Sequence, residues 1–348
     1  MKPWRRRRVE RHLECIQSAF SPADDRPLLV TIVHDAQHYL PSFIEHHREL
    51  GFGHIVVLDN GSQDQTIRIA QSYDDVSIYR CRLPFREHHV VAREWALDQF
   101  GHNRWCLVAD CDEHFDWPYR QHLPLHALIE HLESQGQNAL VAHMIDACGE
   151  SLEAEFIASP DLATFRALYP NLYLSGYQLR SFHFNTRLHR NQLAKPSLQG
   201  LMGGLRMDLF GVRDFATKTP FFHYSGSVRP LVLNSHAIFG ARIAGFTGVL
   251  RHYKVVADYG ESLKQIINKR YDGVSVNHYQ ISYAALQEKG MADFGDLIRQ
   301  HARPVDELAE LEPLGLVELD QPFRERIARI RQMEAANEQS APELVSVG

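Results

Sequence analysis

The sequence has no Cys-x-x-Cys pair, and its five cysteines are an odd number for a chain of 348 residues. This pattern excludes a zinc ribbon and argues against a disulfide framework, so we expect a reducing, cytoplasmic environment. No apolar run approaches the ~18 residues of a transmembrane helix. The basic start continues into charged residues, whereas a secretion signal needs an apolar core, so we expect no such signal.

Several common signatures are also missing. The sequence contains no Gly-x-Gly-x-x-Gly loop, no Walker loop and no Gly-x-Ser-x-Gly elbow, which weakens dehydrogenase, NTPase and hydrolase interpretations. Its 21 histidines form neither a His-Glu-x-x-His motif nor a Cys/His zinc spacing, and we interpret His46-His47 as a structural helix face.

Positive charge is scarce, because the formal net charge is −6. No overall positive field exists to hold a nucleic-acid backbone, and we expect no nucleic-acid partner. A local exception is the run at residues 5–8, which is Arg5, Arg6, Arg7 and Arg8. The run is a candidate for peripheral contact with the inner membrane, although a solvated helix face is the interpretation we favour.

Strand and helix patterns alternate four times within about ninety residues. Short apolar, β-branched runs predict buried strands at residues 27–34, 54–58, 76–79 and 105–109. Helical spacing and turn residues predict helices at residues 35–50, 66–73 and 89–100. This alternation predicts an α/β fold with a mostly parallel, Rossmann-type sheet flanked by helices.

The later pattern is less regular. We predict a strand at 139–145, substrate loops to about residue 230, and helices at 231–246 and 258–290. We expect an N-terminal basic helical segment at residues 1–26 and a main domain at 27–255, with a nucleotide-sugar half at 27–116 and an acceptor half at 117–255. A C-terminal helical extension would follow at 256–334, and a flexible tail at 335–348.

Two acidic clusters follow predicted strands, where ligands of open α/β sheets gather. They are Asp59 with Asp64, and Asp110 with Asp112 and Glu113. In the second cluster, alternation places Asp110 and Asp112 on one side of the chain. Two such carboxylates repel unless a cation lies between them, and oxygen ligands suit Mg²⁺ or Mn²⁺ shared with a diphosphate. The alternative is an acidic turn in which Asp112 is only a cap.

Three ordered segments resemble glycosyltransferase family 2, whose members have the GT-A fold. Trp105-Cys-Leu-Val-Ala-Asp-Cys-Asp-Glu-His-Phe115 resembles its Asp-x-Asp-Glu-Phe stretch, with the aromatic residue displaced by one position. His34-Asp-Ala-Gln-His-Tyr-Leu-Pro-Ser-Phe-Ile-Glu-His-His resembles its Asn-Glu-x-x-Tyr-Leu opening, with His-Asp in place of Asn-Glu. Ile55-Val-Val-Leu-Asp-Asn-Gly-Ser-Gln-Asp-Gln-Thr66 resembles its Asp-Asn-Gly-Ser-x-Asp-x-Thr turn. Together they cover about a third of the chain.

The resemblance implies a GT-A-like, metal-dependent glycosyltransferase that takes a sugar from a UDP or GDP donor. It implies that Asp112 binds the cation, Mn²⁺ or Mg²⁺, and that Asp110 lies near the ribose or a metal-bound water. It places Asp59 and Asn60 at the nucleotide, with His34 and Asp35 beside them. Asp64 either contacts the ligand or caps its helix. The acceptor would be a glycan, a lipid-linked or a small molecule, in bacterial polysaccharide or glycan assembly.

Later segments resemble one branch of these enzymes more loosely. Arg206, after Gly203-Gly204, and Lys218 carry charges that suit a leaving diphosphate, and the glycines allow backbone amides to approach an anion. His252 is a candidate third metal ligand, with a structural histidine as its alternative and His236 as a weaker rival.

An inverting transferase also needs a group that takes the proton of the acceptor hydroxyl. Family 2 enzymes use a carboxylate for this, and the candidates here are Asp208, Asp214 and Asp146, with Asp208 first. Two other classes stay open. The chain is alternatively a non-catalytic sugar-nucleotide-binding protein of the same fold, or a metal-dependent phosphoesterase, since clustered Asp and His also hold two-metal sites.

Overall fold

A 12-stranded sheet forms the centre of the protein. The computed structural model describes residues 3–21, 23–150, 156–181, 189–230, 236–256, 259–268, 275–289 and 292–340. The strands are β1 (Leu13–Gln17), β2 (Leu28–Val33), β3 (His54–Asp59), β4 (Val76–Cys81), β5 (Arg104–Val108), β6 (Glu113–Asp116), β7 (Ala139–Cys148), β8 (Asn171–Tyr173), β9 (Tyr177–Ser181), β10 (Gln192–Leu193), β11 (Gln199–Gly203), β12 (Thr217–Tyr224), β13 (Arg229–Pro230), β14 (Ile238–Phe239), β15 (Arg242–His252) and β16 (Ala302–Pro304).

The helices separate the parallel strands and extend the chain beyond the sheet. They are α1 (Pro3–His12), α2 (Leu40–Leu50), α3 (Thr66–Gln71), α4 (Phe85–Phe100), α5 (Leu125–Ser134), α6 (Leu162–Leu168), α7 (Leu205–Phe210), α8 (Tyr259–Asn268), α9 (Ser275–Lys289), α10 (Ala292–His301) and α11 (Gln321–Ser340), and a 3₁₀ helix spans Leu308–Leu314. None of the described helices is both long enough and apolar enough to cross a lipid bilayer.

The strand order is β1-β4-β3-β2-β5-β12-β7-β15-β10. Strands β4, β3, β2 and β5 form a parallel block, as the alternating pattern predicts. β12 then runs antiparallel to both β5 and β7, and β15 runs parallel to β7. The predicted α/β class, with a mostly parallel central sheet flanked by helices, is confirmed.

Both faces of the parallel block are buried. In β2, Leu29 and Val33 join the hydrophobic core that also includes side chains of α2, whereas Leu28 and Val30 join the core that includes side chains of α4. Successive side chains of a strand point to opposite faces, so a strand covered on both sides is apolar throughout. This is why the strands of the block appear in the sequence as continuous apolar runs.

Several predicted boundaries are wrong. The helix predicted at 231–246 is instead strand in its described part, which holds β14 and the start of β15, while residues 231–235 lie outside the described residues. β15 pairs with β7 on one side and with β6 or β10 on the other. Its side chains are buried on both faces over most of its length, so it lacks an alternating pattern. The first predicted helix begins only at Leu40.

The two ends also differ from prediction. The N-terminal segment is helical only to His12, after which β1 pairs antiparallel with β4 and forms the edge of the sheet. In the predicted tail, α11 continues to Ser340, and residues 341–348 lie outside the described residues. The C-terminal helical extension is observed as α8, α9, α10 and α11.

The paired histidines of α2 are structural, as the sequence predicts. Nε2 of His46 donates to the carbonyl of Phe115 at 2.7 Å, and Nδ1 of His47 donates to the carbonyl of Phe43 at 2.7 Å. Burial lowers the pKa of His46 to about 3. Both rings are therefore neutral packing elements, and both bond to the backbone of Phe115, so they tie α2 to β6.

Candidate functional site

The acidic turn lies between β5 and β6, beyond the carboxyl end of the parallel block. Here each acid is paired with a cation. Asp110 contacts the guanidinium of Arg93 and lies 2.9 Å from Nζ of Lys218, which also lies 2.5 Å from Glu113. Asp112 lies 3.2 Å from Nζ of Lys254.

Asp110, Asp112 and Lys218 favour their charged forms despite burial, whereas burial raises the pKa of the Glu113 carboxyl. Burial disfavours the charged form of Lys218, but Asp110 and Glu113 outweigh it and raise the lysine's pKa. For Asp112, burial likewise opposes ionisation, yet the charge of Lys254 outweighs it and lowers the pKa of Asp112. The turn is thus a set of buried, mutually neutralised charges.

Strand register brings His252 to this turn. His252 is the last residue of β15 and is paired with Glu113 of β6 on one side and with Asp146 of β7 on the other. Its Nδ1 lies 2.9 Å from Oδ1 of Asp146, and its Nε2 lies 4.0 Å from Oδ2 of Asp112. The carboxylate of Asp146 therefore orients the imidazole ring by accepting the hydrogen of Nδ1. Nε2, which then carries the free lone pair, is the ring nitrogen nearer to Asp112.

The residues fit a divalent cation. One ligand atom each from Asp112, Glu113 and His252 can be chosen so that all lie within 4.8 Å of one another. The carboxylates of Asp112 and Glu113 and the imidazole of His252, which Asp146 holds in place, match the ligand chemistry of such ions. Both oxygens of Glu113 already have partners, Lys218 and the amide of Asp110, so Asp112 and His252 are the better ligands.

A cleft of about 280 Å³ opens beside these groups. The acidic turn, His252, Lys218 and Lys254 line one part, and residues of α7, α8 and α9 line another. A larger cleft of about 390 Å³ lies between α5 and α11 but contains a single carboxylate, that of Glu130. We therefore assign the candidate site to the smaller cleft, where the paired acids lie.

Arg206, on α7, brings a buried positive charge to the cleft. Its Nη1 lies 2.6 Å from Oδ2 of Asp214, while its Nε is buried without a hydrogen-bond partner among the described residues. A buried donor of this kind is costly unless something accepts from it. An anionic ligand would satisfy it.

The amides of Gly203 and Gly204 donate to the carbonyls of Asp214 and Gly176, at 2.9 and 3.0 Å, and so stabilise the local fold. Both glycines have positive φ, and a Cβ on Gly204 would lie 2.5 Å from Oδ2 of Asp146. The amide of Leu205 donates to that same oxygen at 2.9 Å. The two glycines therefore let the chain pack against Asp146, which in turn holds His252.

The three predicted base candidates have different positions. Asp214 lines the cleft between Arg206 and His278. Asp146 is buried and bonded to His252, Tyr177 and Leu205, so it orients rather than reacts. Asp208, the first candidate, lies outside the cleft lining, where its carboxylate accepts from Tyr173 at 2.7 Å. The structure does not bring Asp208 to the site.

The first acidic cluster stabilises the turn after β3 through hydrogen bonds. Asp59 is fully buried, and its carboxylate accepts from the amides of Gly61 and Ser62 and from Nε of Arg80, at 3.2, 3.0 and 2.9 Å. Asn60 donates to the carbonyls of Cys81 and Leu83. These bonds shape the loop itself.

His34, Asp35 and Asp64 complete that loop. Nδ1 of His34 bonds to the carbonyl of Asn60 at 3.0 Å, and Oδ1 of Asp35, which has φ of 50°, accepts from the amide of Gln63. Asp64 accepts from the amide of Thr66 at the start of α3, so the predicted capping alternative is observed. A narrow pocket adjoins Asp59 and Asn60 and is closed by side chains of α4.

Sequence reasoning missed several residues of the site. Arg93, Lys254 and His278 had no predicted role, and Glu113 was named only as part of the motif. A signal existed for Lys254, because it follows His252 by two residues and so continues on the same side of an extended chain. Arg93 and His278 lie on helices far away in sequence, and no local pattern marks them.

Comparison with known proteins gives little. No protein-family model matches the chain, and no curated protein matches it. Among solved structures, the chain is similar to one described as the crystal structure of 4-diphosphocytidyl-2C-methyl-D-erythritol synthase, with 14% identity and a TM-score of 0.25, over 40% of this chain and 70% of that one.

Proposed function

We propose that the chain is a metal-dependent glycosyltransferase that moves a sugar from a nucleoside-diphosphate donor, of the UDP or GDP type, to a hydroxyl acceptor. The observation that carries the proposal is the pairing of Asp112 with His252, whose ring is held by Asp146, inside a cleft with several cationic side chains. A single displacement in this cleft would invert the anomeric carbon.

The charge balance supports a diphosphate ligand. Five carboxylates meet four cationic side chains around the cleft: Asp110, Asp112, Glu113, Asp146 and Asp214 against Arg93, Arg206, Lys218 and Lys254. With neutral imidazoles the group has one net negative charge. A divalent ion would make it net positive, which favours an anion such as a diphosphate.

Asp112 and His252 would hold the cation, with Glu113 or Asp110 close by. When bound, such an ion neutralises charge that develops on a leaving diphosphate. The protein's own groups have separate tasks. Lys218, which is 2% exposed, stays with Asp110 and Glu113, whereas Lys254 and Arg206 are 27% and 14% exposed in the cleft and can donate to phosphate oxygens.

The experiment that tests this proposal is a donor panel. Purified protein is screened by thermal shift against UDP, GDP, their sugars and simple phosphate esters, with and without Mn²⁺. Ligands that shift the melting temperature are then assayed for transfer and for slow donor hydrolysis. We expect metal-dependent binding of a nucleotide sugar together with cleavage of its sugar–phosphate bond.

The variant for this panel is Asp112→Asn. We expect its turnover to fall by about a thousandfold or more, since a ligand of the charge-stabilising ion is removed. The matched control is Asp296→Asn, because Asp296 is 88% exposed and pairs only with Arg299 among the described residues. Nucleotide-sugar binding without turnover would favour a binding protein, and cleavage of simple phosphate esters would favour a phosphoesterase.

A further inference from the structure

We propose that His278 is the general base of the reaction and that Asp214 holds it in position. The inference depends on the proposed glycosyl transfer and adds the group that takes the proton from the acceptor hydroxyl. His278 lies on α9, in the C-terminal helical extension, and lines the same cleft as the acidic turn.

The geometry is that of a histidine oriented by a carboxylate. Nδ1 of His278 lies 2.8 Å from Oδ1 of Asp214, whose other oxygen lies 2.6 Å from Nη1 of Arg206. Arg206 fixes the carboxylate, and the carboxylate favours the tautomer with the hydrogen on Nδ1. Nε2 then has a free lone pair and can accept a proton. Among the described residues, none hydrogen-bonds to Nε2.

Exposure also fits the role. The side chain of His278 is 46% exposed, against 22% for Asp214 and 14% for Arg206. The reactive ring is therefore open to an acceptor from solution, while the two charges that orient it are more buried. A general base must come within hydrogen-bond reach of its substrate, so access is required.

Other candidates in the cleft fit less well. Both oxygens of Asp214 lie beside a partner, and the carboxylate of Asp146 is buried against His252 and Tyr177. Nδ1 of His236 lies 2.7 Å from the carbonyl of Thr217, and burial together with Lys218 lowers its pKa to about 4.

The charged and titratable groups around His278 come from several elements. Arg206 and Asp214 adjoin it from the α7 side, and Tyr259 of α8, Tyr279 of α9 and Lys254 after β15 line the same cleft. An imidazolium at His278 would lie beside the opposite charge of Asp214, with Arg206 and Lys254 as like charges in the same cleft. Such a balance suits a base that must both accept and release a proton.

The acceptor O–H bond breaks and its proton moves to Nε2 of His278, while the acceptor oxygen forms a bond to the anomeric carbon of the donor sugar. The bond between that carbon and the phosphate oxygen breaks, and its electron pair leaves with the nucleoside diphosphate. The imidazolium is stabilised by Asp214 and later loses its proton to solvent.

The test uses the full-length protein with Mn²⁺ and the nucleotide sugar that it cleaves best, with water as the acceptor. We expect His278→Gln to lower donor hydrolysis at least tenfold while nucleoside-diphosphate affinity changes less than twofold. The wild-type rate should fall as acid protonates the base, and this fall should disappear in the variant. The control is His122→Gln, because Nδ1 of His122 also lies 2.8 Å from a carboxylate, that of Glu334, but outside the cleft.

A second variant separates chemistry from structure. Since the ring is half exposed, added imidazole should restore hydrolysis by His278→Ala. A wild-type rate in His278→Gln would overturn the base assignment alone. Loss of nucleotide affinity together with activity, without rescue by imidazole, would make His278 a structural residue. A wild-type protein that binds nucleotide sugars but cleaves none would instead overturn the proposed function, and this step with it.

Discussion

Two acidic turns follow parallel strands of the same sheet, and their carboxylates have different partners. After β3, Asp59 accepts from two backbone amides and one guanidinium. After β5, Asp110 and Asp112 are paired with side-chain cations beside a cleft. Amides of the loop cannot leave their carboxylate without unfolding the turn, whereas a lysine side chain can give way to an ion. The carboxylate after β3 is therefore structural, whereas the carboxylates after β5 have partners that an ion can replace.

The largest expected effect of this difference is on the free energy of unfolding when Asp59 is replaced. Replacing Asp59 with Asn removes a buried charge from Arg80 and two amides, and we expect a loss of about 3 kcal/mol in the free energy of unfolding. Urea denaturation at constant slope measures it. The control is Asp75→Asn, since Asp75 pairs with Arg48 at a half-exposed position, where a loss below about 1 kcal/mol is expected. Unchanged stability with weaker nucleotide binding would make Asp59 a ligand contact instead.

The next effect is on metal affinity. Asp146 never reaches the cleft but holds Nδ1 of His252, so Asp146→Asn should weaken Mn²⁺ binding by about 10- to 100-fold. Isothermal titration calorimetry of the purified variant measures this. Asp208→Asn serves as the control, because Asp208 bonds to Tyr173 outside the cleft. Equal Mn²⁺ affinities in the two variants would contradict the orienting role of Asp146.

The smallest expected effect is on Mn²⁺ affinity when Lys254, the cationic partner of Asp112, is replaced. Lys254 neutralises Asp112 and thereby competes with a divalent ion, so Lys254→Met should tighten Mn²⁺ binding in the absence of nucleotide by roughly three- to tenfold. The matched control is Lys264→Met on α8, because Lys264 pairs with Glu261 at an exposed position. Weaker Mn²⁺ binding in Lys254→Met would show that the lysine supports the ion rather than competes with it.

The parallel half of the fold was predictable because its short apolar strands are separated by helices with regular spacing. β15 was not, since it is covered on both sides and its apolar run lacks a two-residue period. The predicted helix at 231–246 was wrong for this reason. At the N-terminus, pairing of β1 with β4 is a tertiary contact that no local pattern indicates.

For the site, the sequence predicted Asp110, Asp112 and His252, which the structure brings to one cleft. Asp146 was predicted as a base, but strand register turns it toward His252. The cations that neutralise the acids come from α4, β12 and the segment after β15, and their convergence depends on the sheet order rather than on spacing. Sequence patterns thus locate the acids of this site and two of its cations, Arg206 and Lys218, but not Arg93 or Lys254.

The proposed transfer depends on a divalent ion bound between Asp112 and His252. Anomalous diffraction from crystals soaked with Mn²⁺ and UDP or GDP would locate this ion. We expect a manganese peak within bonding distance of a carboxylate oxygen of Asp112 and of Nε2 of His252, with Lys254 moved away from Asp112. An empty cleft in which Lys254 still pairs with Asp112, although nucleotide is bound elsewhere, would contradict it.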